Sequence, residues 1–222
     1  MIDTIAQSGD LDLDPFESLE AITIEGRNVA HAARPLSLED ELVPWLAAYE
    51  GEGWEWSGDP GALPGPTLGS LVAPLPPRTR AVAARDLADL TVRVGRWTRR
   101  KHVRARFDVV RGDSCRKFHA DYVAIRLLVT YAGPGTEWVE DANADRSFLG
   151  RQDLDMQTCN EKIVRDPSAI RRAGTGDVLV LKGAAYPRNE TRGAIHRSPP
   201  IEHLGRRVER LVLRIDVPSC AC

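Results

Sequence analysis

The chain has 222 residues, with 30 lysines and arginines against 32 aspartates and glutamates, a formal net charge of -2. That balance excludes a global pull toward nucleic acid or an anionic membrane surface. No apolar run approaches the roughly 18 residues of a membrane-spanning helix, the best being broken by Arg126 and Lys182.

The opening residues, MIDTIAQSGDLDLD, are acidic and lack the basic and apolar regions of a signal peptide, so a cytoplasmic location is expected. Cys115, Cys159, Cys220 and Cys222 are too few and too scattered for a secreted disulfide framework and read as reduced thiols. The length fits one domain over 1–222, with a helical and Gly/Pro-rich region over 1–100, a β core over 101–217 and a Cys-containing tail over 218–222.

After Pro35, Ser37-Leu-Glu-Asp40 has the form of a helix start. Leu42, Trp45, Leu46 and Tyr49 recur at three and four, predicting a helix that ends near Gly51. Residues 51 to 77 include GDPGALPGPTLG and APLPP and predict a long loop without helix or central strand. With Trp54 and Trp56 this segment could form a lid over a site. From Arg78 to Leu90 a helical pattern returns, with Val82, Leu87 and Leu90 on a buried stripe and Asp86 and Asp89 on other faces. The basic run WTRRKHVRAR that follows reads as a solvated helix end or edge strand rather than a nucleic-acid patch.

Beyond residue 104 the period changes to two. RARFDVV, KFHADYVAIRLLVTYA, GDVLVLKG and RLVLRIDV are rich in Val, Ile, Leu, Phe and Tyr and bounded by Gly, Pro, Asp or Asn, as strands are. The expected fold class is mainly β with N-terminal helices, an α+β chain whose strands form a sandwich or barrel.

Within the second run, His119 and Asp121 are separated by one residue, and on a strand that spacing puts both side chains on one face. His196 follows 77 positions later, in AIHRSPP. Two neutral imidazoles and one carboxylate on one side of an ion leave the opposite positions open, the facial arrangement of non-haem Fe(II) oxygenases. The same donors accept zinc. Taken alone, His-x-Asp is a weak signal, more commonly a surface pair. Along the same strand, Val123, Ile125, Leu127, Val129 and Tyr131 continue the ligand face as an apolar wall. Strict alternation turns Arg126 outward into solvent unless a bulge intervenes.

Arg206, Arg207 and Arg210 cluster where the last strand begins. An arginine there can grip a dicarboxylate with its planar fork, or simply end the strand in water. Cys115, Cys159, Cys220 and Cys222 offer a second soft-ion site, although Cys115 is also read as a small buried hydrophobe. Glu137, in a turn, and Asp177, at a strand start, are the acids a zinc hydrolase would use as base. His102 and His203 read as surface residues, and Tyr131 and Trp138 as core or pocket-wall aromatics.

CRKFHADYVAIRLLVTYAGPGTEWV, with the later GDVLVLKG, AIHRSPP and RLVLRID, resembles a bacterial family catalogued only as a domain of unknown function. The resemblance runs from near residue 100 to 217, and GPGTEW, Gly133 to Trp138, is its most specific element. The same half resembles the Fe(II)- and 2-oxoglutarate-dependent dioxygenase superfamily. That likeness implies a double-stranded β-helix (jelly-roll, cupin-like) core, with His119, Asp121 and His196 as catalytic ligands of Fe(II). It further implies that Arg210, or alternatively Arg207, binds the far carboxylate of the cosubstrate 2-oxoglutarate. The implied reaction is oxidation of a small-molecule or peptide substrate, with no nucleic-acid or membrane partner. The unknown-function family implies a competing role in metal homeostasis, as a non-catalytic zinc-binding protein using the same three residues. Arg210 separates the two, because oxygenase chemistry needs it and zinc storage does not.

Overall fold

The computed structural model describes residues 14–112, 115–201 and 208–219. Its strands are β1 (Val29–Ala32), β2 (Gly53–Gly58), β3 (Val103–Val110), β4 (Val123–Ala132), β5 (Glu137–Val139), β6 (Arg171–Arg172), β7 (Val178–Lys182), β8 (Ile195–Arg197) and β9 (Arg210–Pro218). Its α-helices are α1 (Glu39–Ala48), α2 (Gly65–Val72), α3 (Pro77–Thr98) and α4 (Met156–Ile163). Six strands form an antiparallel sheet in the order β1-β7-β4-β9-β3-β2, and three form a second sheet in the order β6-β5-β8. The architecture is therefore mixed helix and strand, with two sheets packed together. No helix among the described residues is long and apolar enough to cross a membrane.

Alternation along the strands explains the layering. Phe107 of β3, Ile125, Leu127, Val129 and Tyr131 of β4, Val178 and Val180 of β7, and Leu211, Leu213 and Ile215 of β9 join one core with the buried stripe Ala83, Leu87, Leu90 and Val94 of α3. The opposite face gives Leu128, Leu179, Leu181 and Val212, which pack with Trp138 and Ala194 from the smaller sheet and its flank. A third cluster, Phe118, Val139, Cys159, Ile163 and Ile195, ties α4 to the smaller sheet. Asp155 caps α4, its side chain accepting from the Thr158 amide, and this Asp-x-x-Thr pattern was available in the sequence.

Several expectations need correction. The Gly/Pro-rich segment 51 to 77 is not a long loop, since it holds the edge strand β2, a short 3-10 helix and α2. An edge strand tolerates a composition that a central strand does not. Gly53, at φ +139°, passes where a Cβ would lie 2.1 Å from the Phe107 carbonyl oxygen. Trp54 stacks on Phe107 at 5.1 Å between ring centroids, and both Trp54 and Trp56 pack against the helix-side core, so the two tryptophans are not a lid. β1 and β2, both before residue 100, belong to the main sheet, so the described part of that region is not a purely helical preface. The basic run is split between the end of α3 and β3, which lies inside the sheet rather than at its edge. Asp86 is not on an outer face of α3. It is buried, bonded by Arg34 and by the Tyr131 hydroxyl.

Candidate metal centre

The chain reaches the site through a short irregular segment rather than a continuous strand. His119 forms an isolated antiparallel bridge with His196, its amide donating to the His196 carbonyl at 3.0 Å and the His196 amide donating back at 2.9 Å. Asn160 of α4 supports this segment, accepting from the Phe118 amide at 2.8 Å and donating to the Arg116 carbonyl at 3.0 Å. Asp121 lies just before β4, where the Ala184 amide donates to its carbonyl at 2.8 Å. His196 comes from β8, paired opposite Trp138 of β5. The three expected ligands thus converge, with one donor atom from each lying within 4.8 Å of the others. Among the described residues no other three His, Cys, Asp or Glu side chains do so.

Each imidazole is held in a definite orientation. The Nδ1 atoms of His119 and His196 lie 2.9 Å and 3.1 Å from the carbonyl oxygens of Lys117 and Ala194. A carbonyl only accepts, so Nδ1 carries a proton and Nε2 is the ring nitrogen turned toward the site, the atom through which each histidine would bind a metal once that atom is deprotonated. Both Nε2 atoms face Asp121, at 3.5 Å from Oδ1 for His119 and 3.1 Å from Oδ2 for His196. Burial opposes ionisation of Asp121, but hydrogen bonds with His119 and His196 and the charges of His196 and Arg126 outweigh it and hold the carboxyl well below its usual range. Burial likewise lowers the His119 pKa, and the Asp121 and Lys117 hydrogen bonds more than reverse this. The donor set, two imidazole nitrogens and one carboxylate, fits a borderline divalent ion such as iron or zinc.

His119 and His196 line a cleft of about 770 Å³ on the charged face of the main sheet, together with Arg210 and Ser198. The Arg210 guanidinium is buried, its Nη1 donates to Ser198 Oγ at 3.4 Å, and its Nε has no hydrogen-bond partner. Burial lowers its pKa to about 10, only partly offset by Asp108, so it remains a cation at neutral pH. A buried cation with an unused donor on a cleft wall fits an anionic group. Gly133 of the GPGTEW motif sits against it at φ +77°, where a Cβ would come within 2.8 Å of Arg210 Cγ. Thr136 of the same motif also lines the cleft.

The remaining expectations divide as follows. Arg207, His203, Cys220 and Cys222 lie outside the described residues. Arg126 is not outward and solvated: a register shift between Val123 and Ile125 breaks the alternation, and Arg126 donates to Asp121 at 2.6 Å and to both oxygens of Asp216. The same shift sends Ile125, Leu127, Val129 and Tyr131 to the helix-side core, so they do not wall the site. Cys115 is exposed rather than buried, at φ +48°, and lines the cleft without joining the ligand cluster. Cys159 lies on the buried face of α4. Glu137 lies in β5, not in a turn, and is held by Arg172 and Arg197. Asp177 precedes β7 and binds His31 at 2.7 Å. Neither acid belongs to the cluster of metal donors. Sequence reasoning missed Ser198 and Asp216. Asp216 was legible in RLVLRIDV, whose alternate residues are polar or charged except Val212.

No curated protein matches the chain in sequence. Among solved structures it is similar to a putative oxygenase from Shewanella oneidensis, 12% identical with a TM-score of 0.45, over 90% of this chain and 85% of that one. It is also similar to a prolyl-4-hydroxylase from Pseudomonas putida, 11% identical with a TM-score of 0.42, over 92% and 98%. A third is the dioxygenase for auxin oxidation 1 from Arabidopsis thaliana in complex with 2-oxoglutarate, 9% identical with a TM-score of 0.40, over 89% and 69%. Residues 68–216 match the family described as protein of unknown function (DUF1826).

Proposed function

The chain belongs to the DUF1826 family, and from its metal centre we propose that it is a non-haem Fe(II)- and 2-oxoglutarate-dependent oxygenase on a double-stranded β-helix core, acting on a small-molecule or peptide substrate. The observation that carries this reading is that His119 and His196, clustered with Asp121, line the same cleft as the buried, under-satisfied Arg210. When bound, Fe(II) and 2-oxoglutarate supply the oxidising power, drawn from dioxygen.

The chain's own residues do the rest. His119 and His196 present Nε2, their orientation fixed by the Lys117 and Ala194 carbonyls. Asp121 contributes a permanent negative charge, ionised throughout the neutral range. Arg210 anchors the distal carboxylate of 2-oxoglutarate, and the low polarity around it strengthens that attraction. Ser198 and Thr136 offer hydroxyls on the same wall. The donors alone would equally serve a zinc-binding protein, but zinc storage leaves the Arg210 guanidinium buried without purpose.

The test is an anaerobic titration of metal-free protein with Fe(II) and then 2-oxoglutarate, following the visible charge-transfer band of the chelate. The expected result is a band that His119→Ala abolishes and Arg210→Ala weakens. Tight zinc binding without any such band would overturn the oxygenase reading in favour of metal handling.

A further inference from the structure

Arg126 lies on β4 beside the ligand carboxylate. Its Nη1 donates to Asp121 Oδ2 at 2.6 Å, while Nε and Nη2 donate to the two oxygens of Asp216, on the neighbouring strand β9, at 2.7 and 2.8 Å. One face of the fork is therefore braced against the sheet, and the remaining nitrogen reaches the site. The main chain of Asp121 is fixed separately, through the Ala184 amide. What the main chain cannot fix is the rotation of the carboxylate about its terminal torsion, which is broad for aspartate. An arginine here also works against a bound dication by charge repulsion, so its presence calls for a compensating role.

We propose that Arg126, braced by Asp216, is a positioning residue for Asp121, holding the carboxylate through Oδ2 so that its two oxygens stay turned toward the ion position shared with His119 and His196. The inference rests on the metal-centre reading above, and it concerns how the ligand is oriented rather than which reaction follows. Without the clamp the carboxylate is free to turn between the two imidazoles. The bulge before Ile125 is the device that delivers Arg126 to this side of the sheet.

The test is titration of the metal-free full chain with Co(II), read by calorimetry and by the visible ligand-field bands, for wild type, Arg126→Ala, Arg126→Lys and Asp216→Asn, with folding checked by circular dichroism. Arg126→Ala is expected to weaken Co(II) binding by about 10- to 100-fold, the range for losing a partner behind a metal ligand, and to alter the band pattern. Arg126→Lys recovers part of the loss, and Asp216→Asn, which keeps the positive charge but removes the brace, shows a smaller loss. A folded Arg126→Ala protein that binds Co(II) as tightly as wild type or more tightly, with unchanged bands, would overturn the inference, because that is the outcome of charge repulsion alone. If Arg126→Ala does not fold, unchanged affinity and bands in Asp216→Asn overturn it instead. A wild type that takes up no Co(II) overturns the metal-centre reading itself, and this inference with it.

Discussion

Arg34 grips Asp86 with both terminal guanidinium nitrogens, Nη1 to Oδ1 at 2.6 Å and Nη2 to Oδ2 at 2.8 Å, while the Tyr131 hydroxyl donates to the same Oδ2 at 2.7 Å. The chain after β1, the middle of α3 and the end of β4 are thereby joined inside the main core. Removing one partner of a buried pair strands the other charge, so Asp86→Ala is expected to destabilise the protein by about 3–5 kcal/mol. Tyr131→Phe leaves the ion pair intact and loses one bond to a charged acceptor, about 1.5–3 kcal/mol. Urea unfolding of the two variants checks the order of these costs.

Gly133 is the second place where stability and site geometry meet. A side chain at φ +77° is strained, and its Cβ would stand 2.7 Å from the Glu209 carbonyl oxygen. Gly133→Ala is expected to cost about 1–3 kcal/mol and to displace Arg210, seen as a lower melting temperature together with weaker 2-oxoglutarate binding. Unchanged values of both would show that β9 can retreat freely.

Metal removal offers a third measurement. An ion that binds only the folded chain stabilises it by about 2.7 kcal/mol when its free concentration is a hundred times the dissociation constant. Fe(II) or Zn(II) is therefore expected to raise the melting temperature by several degrees, and a chelator to reverse the gain. Asp121→Asn and His196→Ala will show little response if these residues hold the ion.

The acid limb of stability carries a signature of Asp177. Burial raises its pKa, but the Arg34 and Gly174 amides and His31 hold it below its ordinary value in the fold. A depressed folded-state pKa contributes stability that is present above the unfolded value near 3.8 and is lost as pH falls through the folded one. Asp177→Asn is thus expected to lower stability at pH 7 and flatten its decline below about pH 4, as measured by denaturation across pH.

The parts of this fold that could be read in advance were those written in local spacing. His-x-Asp and a distant histidine named the three side chains that the fold brings together, and the β4, β7 and β9 segments announced themselves by composition. The failures share a cause, which is that register is a property of two strands and not of one. Nothing in DYVAIR marks a bulge, because no glycine or proline stands there, yet the shift between Val123 and Ile125 exchanged the faces of β4 from Ile125 up to the second shift at Thr130 and Ala132. It moved an apolar series from the site to the core and brought Arg126 to Asp121. β2 was missed for a related reason, since its pairing with β3 supplies hydrogen bonds that a Gly-rich sequence does not advertise. Arg210 reads in the sequence as a carboxylate-binding arginine or a wet strand end; that it is buried on the cleft wall depends on neighbours from β3 and the GPGTEW turn.

The doubled amide-to-carbonyl exchange between His119 and His196 has a meaning for the order in which the molecule assembles. Two ligands so far apart along the chain are brought together by their own peptide groups, so the ion position cannot exist until that long loop has closed. Local elements such as α3 can form early. Metal uptake by these three side chains during refolding would therefore report closure of that long loop rather than formation of the local elements.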